Sequence, residues 1–243
     1  MDPLFLVAVL LVAILSAATA AVAGFGIGSL LTPLIAVRFG MPVAVAVVAV
    51  PHLIATALRC WRLRRSIDWS VMRSFGVLSA LGGMAGALAY TRFSSRALTL
   101  LLGALLLATA IVTLSNLTLR WRASGGAASA LGLLSGFFGG AAGNQGGLRS
   151  AALLTFSLSP LAFVATSTAV GIIVDAARLP FYLWRSGDAI RDLAGLVAIA
   201  SAGVVIGTLA GERLLFGLTV ARFRTLVAWL IAALGVWLLT QAA

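Results

Sequence analysis

The chain has 243 residues, of which 62% are hydrophobic and only 9% are charged, and its mean hydropathy is +1.14. A soluble core of this length could not bury so much apolar surface, so the composition excludes a soluble globular protein and predicts an all-α integral membrane protein. The net charge is +11, and all 17 residues counted as lysine or arginine are arginines. These arginines lie between apolar runs, which favours loop charges that orient helices over a nucleic-acid surface.

In chain order, apolar runs of about 20 residues predict eight membrane-spanning helices. They cover residues 4–23, 42–63, 71–91, 97–119, 127–142, 160–184, 190–210 and 222–241. The first run resembles a secretory signal, but the charged side chain before it is the acidic Asp2 and no basic residue precedes it, so we interpret it as a retained span. Shorter apolar segments, 29–38 and 148–158, follow a glycine cluster in each half and predict half-helices or re-entrant arms.

The two halves of the chain carry the same landmarks at nearly constant offsets. Gly28 in the first half corresponds to Gly146 in the second half. Pro42, at the start of the next span, corresponds to Pro160. We therefore expect residues 1–122 and 123–243 to be two transmembrane repeats that together form one membrane domain. Glycine pairs later in each half also correspond, and we interpret them as packing glycines: Gly82, Gly86, Gly203 and Gly207.

The arginines predict the orientation of the helices. An odd number of crossings in each half would insert the two repeats upside down relative to each other, as in many transporters. Nine arginines then fall on the side that we expect to be cytoplasmic, against five on the other. The nine are Arg59, Arg62, Arg64, Arg65, Arg120, Arg122, Arg213, Arg222 and Arg224, and the five are Arg38, Arg92, Arg96, Arg185 and Arg191.

The glycine clusters predict an anion site. A helix that starts just after such a break presents unpaired N–H groups and the positive end of its dipole. In the second half the break also carries two amides and a cation, Asn144, Gln145 and Arg149. The alternative is that the glycines only allow close packing and that Arg149 extends to an interface. The predicted site consists of Gly24, Gly26, Gly28, Ser29, Gly143, Asn144, Gln145, Gly146, Gly147 and Arg149.

A few other polar residues lie inside predicted spans. Asp175 and Arg178 are three apart on one helix, a spacing that lets them neutralise each other; the carboxylate could instead titrate during transport. His52 could carry a proton near neutral pH or could be a packed hydrogen-bonding residue. The hydroxyls of Thr166, Ser167 and Thr168 could line a path or bond to their own helix. We expect Asp175 or His52 to couple transport to protons.

With these features the chain resembles the sulfite exporter TauE/SafE family. What matches is the glycine-rich break near the start of each half, the Gly-x-Pro or Leu-Ser-Pro step that follows, Thr166-Ser167-Thr168 and the small-residue helix with Gly203 and Gly207. The resemblance covers essentially the whole chain. It implies a permease of about eight spans in two pseudo-symmetric halves, moving sulfite, sulfonates or related sulfur-containing anions with an ion gradient.

We therefore predict a secondary transporter, an exporter of a small sulfur-containing anion held between the two broken helices. A transporter of another small anion, such as a carboxylate or thiosulfate, and a passive anion channel stay open as alternatives. No enzyme is expected, because one histidine, one cysteine and scattered carboxylates supply neither a nucleophile with its base nor a metal cluster. We expect no cofactor, a plasma or inner membrane location, and a proton or sodium ion as the coupling partner.

Overall fold

The structure is a computed structural model that describes residues 1–23, 26–115, 125–144, 146–153, 155–214 and 220–242. Within these ranges the regular structure is helical throughout, without a strand, which confirms the all-α prediction. The α-helices in order are α1 (Pro3–Ala23), α2 (Ile27–Phe39), α3 (Met41–Leu63), α4 (Trp69–Val71), α5 (Val77–Ala89), α6 (Ser95–Leu114), α7 (Gly125–Ala142), α8 (Gly146–Leu153), α9 (Pro160–Asp192), α10 (Ala194–Leu214) and α11 (Val220–Ala242).

Seven helical segments in the described ranges are long and apolar enough to cross a membrane. One of them joins α4, a π-helical turn at Met72–Gly76, α5 and a final turn into the single segment Trp69–Arg92. The remaining predicted span, 127–142, corresponds to α7, an apolar helix just below the length of the seven. The membrane class of the fold is therefore confirmed, and the count of eight spans stays a prediction.

The long helix α9 contains a kink near the predicted end of a span. We expected a span to end at residue 184 and another to begin at 190, but α9 continues to Asp192 and α10 begins at Ala194. Only Ser186 leaves helical geometry, with φ −133° and ψ 21°. Ser186 therefore divides α9 into two helical parts, and the first part ends close to the predicted end of the span at residue 184.

The two segments after the glycine breaks are short helices. With 13 residues, α2 rises about 20 Å, well below the hydrocarbon thickness of about 30 Å. The arm expected at 148–158 is shorter than predicted, because the eight-residue α8 ends at Leu153. The chain then turns, and the Phe156 amide donates to the Leu153 carbonyl at 3.1 Å.

Glycine determines which helices pack most closely. A Cβ at Gly82 or Gly86 would overlap backbone atoms of α7, and a Cβ at Gly203 or Gly207 would meet backbone atoms of α1. These contacts agree with the packing role that the sequence predicts. Two extensive helix pairs, α5 with α7 and α1 with α10, thus each join one half of the chain to the other.

At the centre, α3 and α9 run antiparallel. Near one end the Asp68 amide, just beyond α3, donates to Thr166 Oγ1 near the start of α9, at 2.9 Å. Further along, His52 of α3 meets Asp175 of α9. This pair carries most of the buried charged groups of the described chain, and the two short helices lie next to it.

Candidate functional site

The two glycine breaks meet in the interior of the protein. A Cβ at Gly28 would overlap the carbonyl oxygen of Gly143, so only glycine permits this approach. Ser29 Oγ donates a hydrogen bond to Asn144 Oδ1 at 3.3 Å. The structure thus brings together Gly28 and Ser29 from the first half and Gly143 and Asn144 from the second, as the sequence predicts.

Backbone geometry explains why glycine occupies both breaks. Gly26 has φ 148° and Gly143 has φ 70°, conformations that residues with a side chain rarely adopt. After each break a helix begins, α2 at Ile27 and α8 at Gly146, and no side chain caps the start of α2. The first-turn N–H groups of a helix lack partners within the helix, and the dipole adds positive potential there.

A small cavity lies between the two breaks. Its volume is about 10 Å³, room for about one water molecule. Residues of both halves line it: Ala20, Gly26, Ile27, Gly28, His52, Arg59, Gly143, Asn144, Gly146 and Arg149. In this conformation the site is closed around a space smaller than any oxyanion of sulfur.

Two arginines give the cavity its charge. Arg149 is 2% exposed, and its Nε donates to Ser167 Oγ at 3.0 Å. A Cβ at Gly171 would lie 3.1 Å from Arg149 Nη1, so this glycine makes room for the guanidinium. Arg149 is therefore buried in the bundle, and its alternative role as an interfacial anchor is wrong.

The second arginine, Arg59, corrects a sequence prediction. We assigned it to the loop charges that orient the helices, but it is 6% exposed and lines the cavity. The spacing between His52 and Arg59 could have indicated this position, because two side chains seven residues apart lie on the same face of a helix such as α3. Because Arg59 is close in sequence to the arginines at residues 62–65, we grouped it with these loop charges instead.

Several buried donors at the site lack an acceptor within the described part of the chain. Arg59 Nε and Nη1 and Asn144 Nδ2 are buried without a hydrogen-bond partner. The hydroxyl of Thr32, which lies next to Gly143, is also without one. Because an unmet buried donor costs about 1–3 kcal/mol, this arrangement favours a ligand rich in acceptors.

A polar network joins the cavity to α9. His52 Nδ1 lies 2.6 Å from Asp175 Oδ2, and Thr56 Oγ1 donates to the same oxygen at 3.0 Å. Arg178 Nη2 lies 2.8 Å from Asp175 Oδ1, so these two residues, three apart on one helix, form the ion pair that the sequence suggests. His52 therefore contacts the cavity on one side and a buried carboxylate on the other.

The network continues to the end of α7. Arg178 Nη1 donates to the Gly139 carbonyl at 2.5 Å, and Tyr182 donates to the Gly140 carbonyl. These carbonyls belong to the last turn before the second glycine break. Asp175 and the break at Gly143 are thus linked through one arginine side chain.

Other predicted site residues have different surroundings. Gly147 faces the side chain of Thr109 on α6, and Thr166 accepts from the Asp68 amide away from the cavity. Thr168 is buried but does not line the cavity, and Ser167 reaches it only through Arg149. Gly24 and Gln145 lie outside the described residues. In the described ranges no group of three His, Cys, Asp or Glu side chains could hold a metal ion.

Comparison with known proteins identifies the family. A family model described as Sulfite exporter TauE/SafE matches residues 9–238. The chain belongs to this family. The comparisons with curated proteins and with solved structures found no similar protein. Proteins of the TauE/SafE family are membrane permeases for sulfite and related anions rather than enzymes, so the chain is a multi-pass membrane transporter with a small anionic substrate.

Proposed function

We propose that this TauE/SafE protein is a secondary transporter that exports a small sulfur-containing anion, sulfite or an organosulfonate. The anion binds in the cavity between the two glycine breaks. Its first-half contacts are Gly26, Gly28, Ser29 and Arg59, and its second-half contacts are Asn144, Gly146 and Arg149. Gly24, Gly143, Gln145 and Gly147 complete or shape the two breaks.

The unmatched donors at the cavity carry this proposal. The Arg59 guanidinium and the Asn144 side-chain amide lie around a space in the described part of the chain that offers them too few acceptors. The nearby carboxylate of Asp175 makes its direct contacts with Arg178 and His52. An anion that brings several oxygens into this space would satisfy the donors and balance the charge.

The donor groups around the cavity suit a sulfur oxoanion. Each oxygen of sulfite accepts several hydrogen bonds, and guanidinium groups bind such oxygens in pairs. Backbone N–H groups at the starts of α2 and α8 supply further donors from two directions. A sulfonate presents the same three oxygens and would leave its organic group at the mouth of the site.

Transport requires this cavity to enlarge. Because the present space holds about one water molecule, the anion enters only when the breaks move apart. Since one break belongs to each half, a displacement of the start of α2 from the start of α8 would open the site. An inverted orientation of the two repeats would let the same movement open opposite membrane faces in turn.

For the coupling ion we propose a proton carried by the His52 and Asp175 pair. His52 lines the cavity while its Nδ1 contacts the carboxylate, so a proton on the ring is next to both the anion and its own counterion. The charges that act on the ring are Asp175, Arg178 and Arg149, and Arg59 lines the same cavity. Loading of the anion would favour protonated His52, and release of the anion would favour its deprotonation.

Transport in proteoliposomes tests the proposal. The purified protein is reconstituted, and uptake and efflux of sulfite, thiosulfate, sulfonates and carboxylates are compared with and without a pH gradient. We expect saturable flux of sulfur oxoanions that follows the gradient. Flux of a carboxylate in preference to every sulfur anion would overturn the substrate, and flux that does not saturate would indicate a channel.

The His52→Gln variant tests coupling separately from binding. We expect it to bind the anion but to lose the response to the pH gradient, because glutamine carries no proton. Unchanged proton-driven flux would exclude His52 as the carrier. Fractionation of membranes from the expressing cells tests the location separately, and we expect the protein in the plasma or inner membrane.

A further inference from the structure

The guanidinium of Arg149 contacts a helix other than the one that carries it. Arg149 belongs to α8, the short helix after the second glycine break, and its Nε donates to Ser167 Oγ of α9 at 3.0 Å. Both side chains are buried. Because a guanidinium is planar, a hydrogen bond at Nε also fixes the direction of the two Nη groups. Ser167 does not line the cavity itself, so its contact with the cavity passes through Arg149.

One turn further along α9, Gly171 borders the same guanidinium. A Cβ at Gly171 would lie 3.1 Å from Arg149 Nη1 and 3.4 Å from Thr56 Cγ2. The first of these distances is shorter than ordinary van der Waals contact, so a side chain at this position would displace the guanidinium. Since residues four apart lie on one face of a helix, Ser167 and Gly171 together form the surface of α9 against which Arg149 packs.

The three consecutive hydroxyl residues at the start of α9 have different surroundings. Successive side chains point about 100° apart around a helix, so neighbours cannot share a partner easily. Thr166 accepts from the Asp68 amide at 2.9 Å, and Thr168 is buried but does not line the cavity. Ser167 is the member of this run that accepts from the arginine of the anion site. Thr168 is therefore a matched control for Ser167.

An arginine at a binding site gains from such support. Its long side chain has many rotamers, and fixing one of them when a ligand binds costs conformational entropy. A guanidinium that is already oriented in the free protein avoids most of this cost, and the ligand binds more tightly as a result.

We propose that Ser167 and Gly171 are positioning residues of the anion site. Ser167 orients the Arg149 guanidinium by accepting from its Nε, and Gly171 leaves the space that the guanidinium occupies. Neither residue touches the anion, so both act through Arg149, and the inference rests on the anion site proposed above. Because they orient a binding group, they set the affinity for the anion, whereas the maximum rate of transport depends on the movement of the glycine breaks.

Equilibrium binding of sulfite to purified variants tests the role of Ser167. We expect Ser167→Ala to weaken sulfite binding about tenfold, and Ser167→Thr, which keeps the hydroxyl, to stay near the wild-type affinity. In an Arg149→Ala background Ser167→Ala should have no further effect, because its influence requires the guanidinium. Thr168→Ala should bind as the wild type does. Wild-type affinity in Ser167→Ala, or the same loss in both backgrounds, would overturn the proposal.

Gly171→Ala tests the space beside the guanidinium without altering any charge. It should weaken sulfite binding about tenfold and leave the maximum rate in proteoliposomes near the wild-type value. Gly195→Ala is the control, because a Cβ there has no atom within 4 Å. A lower maximum rate with unchanged affinity would assign Gly171 to helix packing and overturn its positioning role.

A measurement without any anion separates this proposal from the identity of the substrate. In protein with isotopically labelled arginine, the Nε–H signal that disappears in Arg149→Lys belongs to Arg149. Hydrogen exchange of this group should be at least about tenfold faster in Ser167→Ala than in wild type, since the hydrogen bond that protects it is lost. Equal exchange rates would overturn the positioning role. Failure of the wild type to bind sulfite, with this difference in exchange present, would instead overturn the proposed substrate.

Discussion

At the residue scale, Arg149 should contribute directly to anion affinity. Arg149→Ala removes a buried donor group and should weaken sulfite binding by about 1.5–3 kcal/mol, the cost of losing a hydrogen bond to a charged group. Equilibrium binding to purified protein measures the change. Arg185→Ala is the control, because this exposed arginine stacks on Trp184 away from the cavity. Wild-type affinity in a folded Arg149→Ala protein would remove the main support for the site.

Asp175 should be essential for stability as well as for coupling. Asp175→Asn leaves Arg178 buried without its carboxylate, and breaking a buried pair in this way costs about 3–5 kcal/mol. Thermal unfolding in detergent should show a strong loss. Asp188→Asn provides the matched comparison, since Asp188 pairs with Arg191 at the same spacing on the exposed surface. Similar melting of the two variants would contradict the structural role of Asp175.

Part of the candidate site could be predicted from residue types in the sequence, and the other part could not. The glycines, Asn144 and Arg149 could be found because a polar break in an apolar chain is conspicuous. The contact of His52 with Asp175 joins residues far apart in sequence, so each could be named as a candidate but their pairing could not be predicted. Arg59 was missed because a buried guanidinium and a loop guanidinium look alike in a linear pattern.

At the scale of elements, the glycines of α5 should be intolerant of even one methyl group. Gly82→Ala places a Cβ against the α7 backbone and should destabilise the protein by about 1–3 kcal/mol through overpacking. Gly187→Ala is a suitable control, because a Cβ there has no atom within 4 Å. Unfolding in detergent compares them. If Gly82→Ala unfolds as wild type does, the close approach of α5 to α7 is wrong.

Helix identity followed from apolar length, whereas helix ends and kinks did not. The composition of α9 after Arg185 is polar, and the sequence therefore suggested a loop near residues 185–189. The helical backbone breaks only at Ser186, whose hydroxyl lies 2.5 Å from Tyr90 Oη, and helical geometry then resumes up to Asp192. That partner comes from a distant part of the chain and is invisible in local sequence.

At the scale of the whole molecule, positions 62 and 185 should face opposite sides of the membrane. α3 and α9 are antiparallel, and α9 rises about 28 Å between Thr166, near the Arg62 end, and Arg185. Cysteines introduced at these exposed positions, in a protein whose Cys60 is replaced by serine, are labelled with an impermeant reagent in oriented vesicles. We expect each to react from one side only, and from different sides. Labelling of both from the same side would contradict the arrangement.

The division of the buried network between the two halves also constrains how the protein is made. His52 and Thr56 leave the ribosome long before Asp175, the carboxylate that both of them contact. Until then Thr56 can donate only to carbonyls of its own helix, and the His52 ring lacks its carboxylate partner, which would make the nascent first half a substrate for membrane quality control. Residues 1–122 expressed alone should be degraded, and co-expression with residues 123–243 should restore both fragments. Pulse-chase measurement of fragment lifetime checks this, and an equally long-lived first half on its own would show that its biogenesis does not await the second.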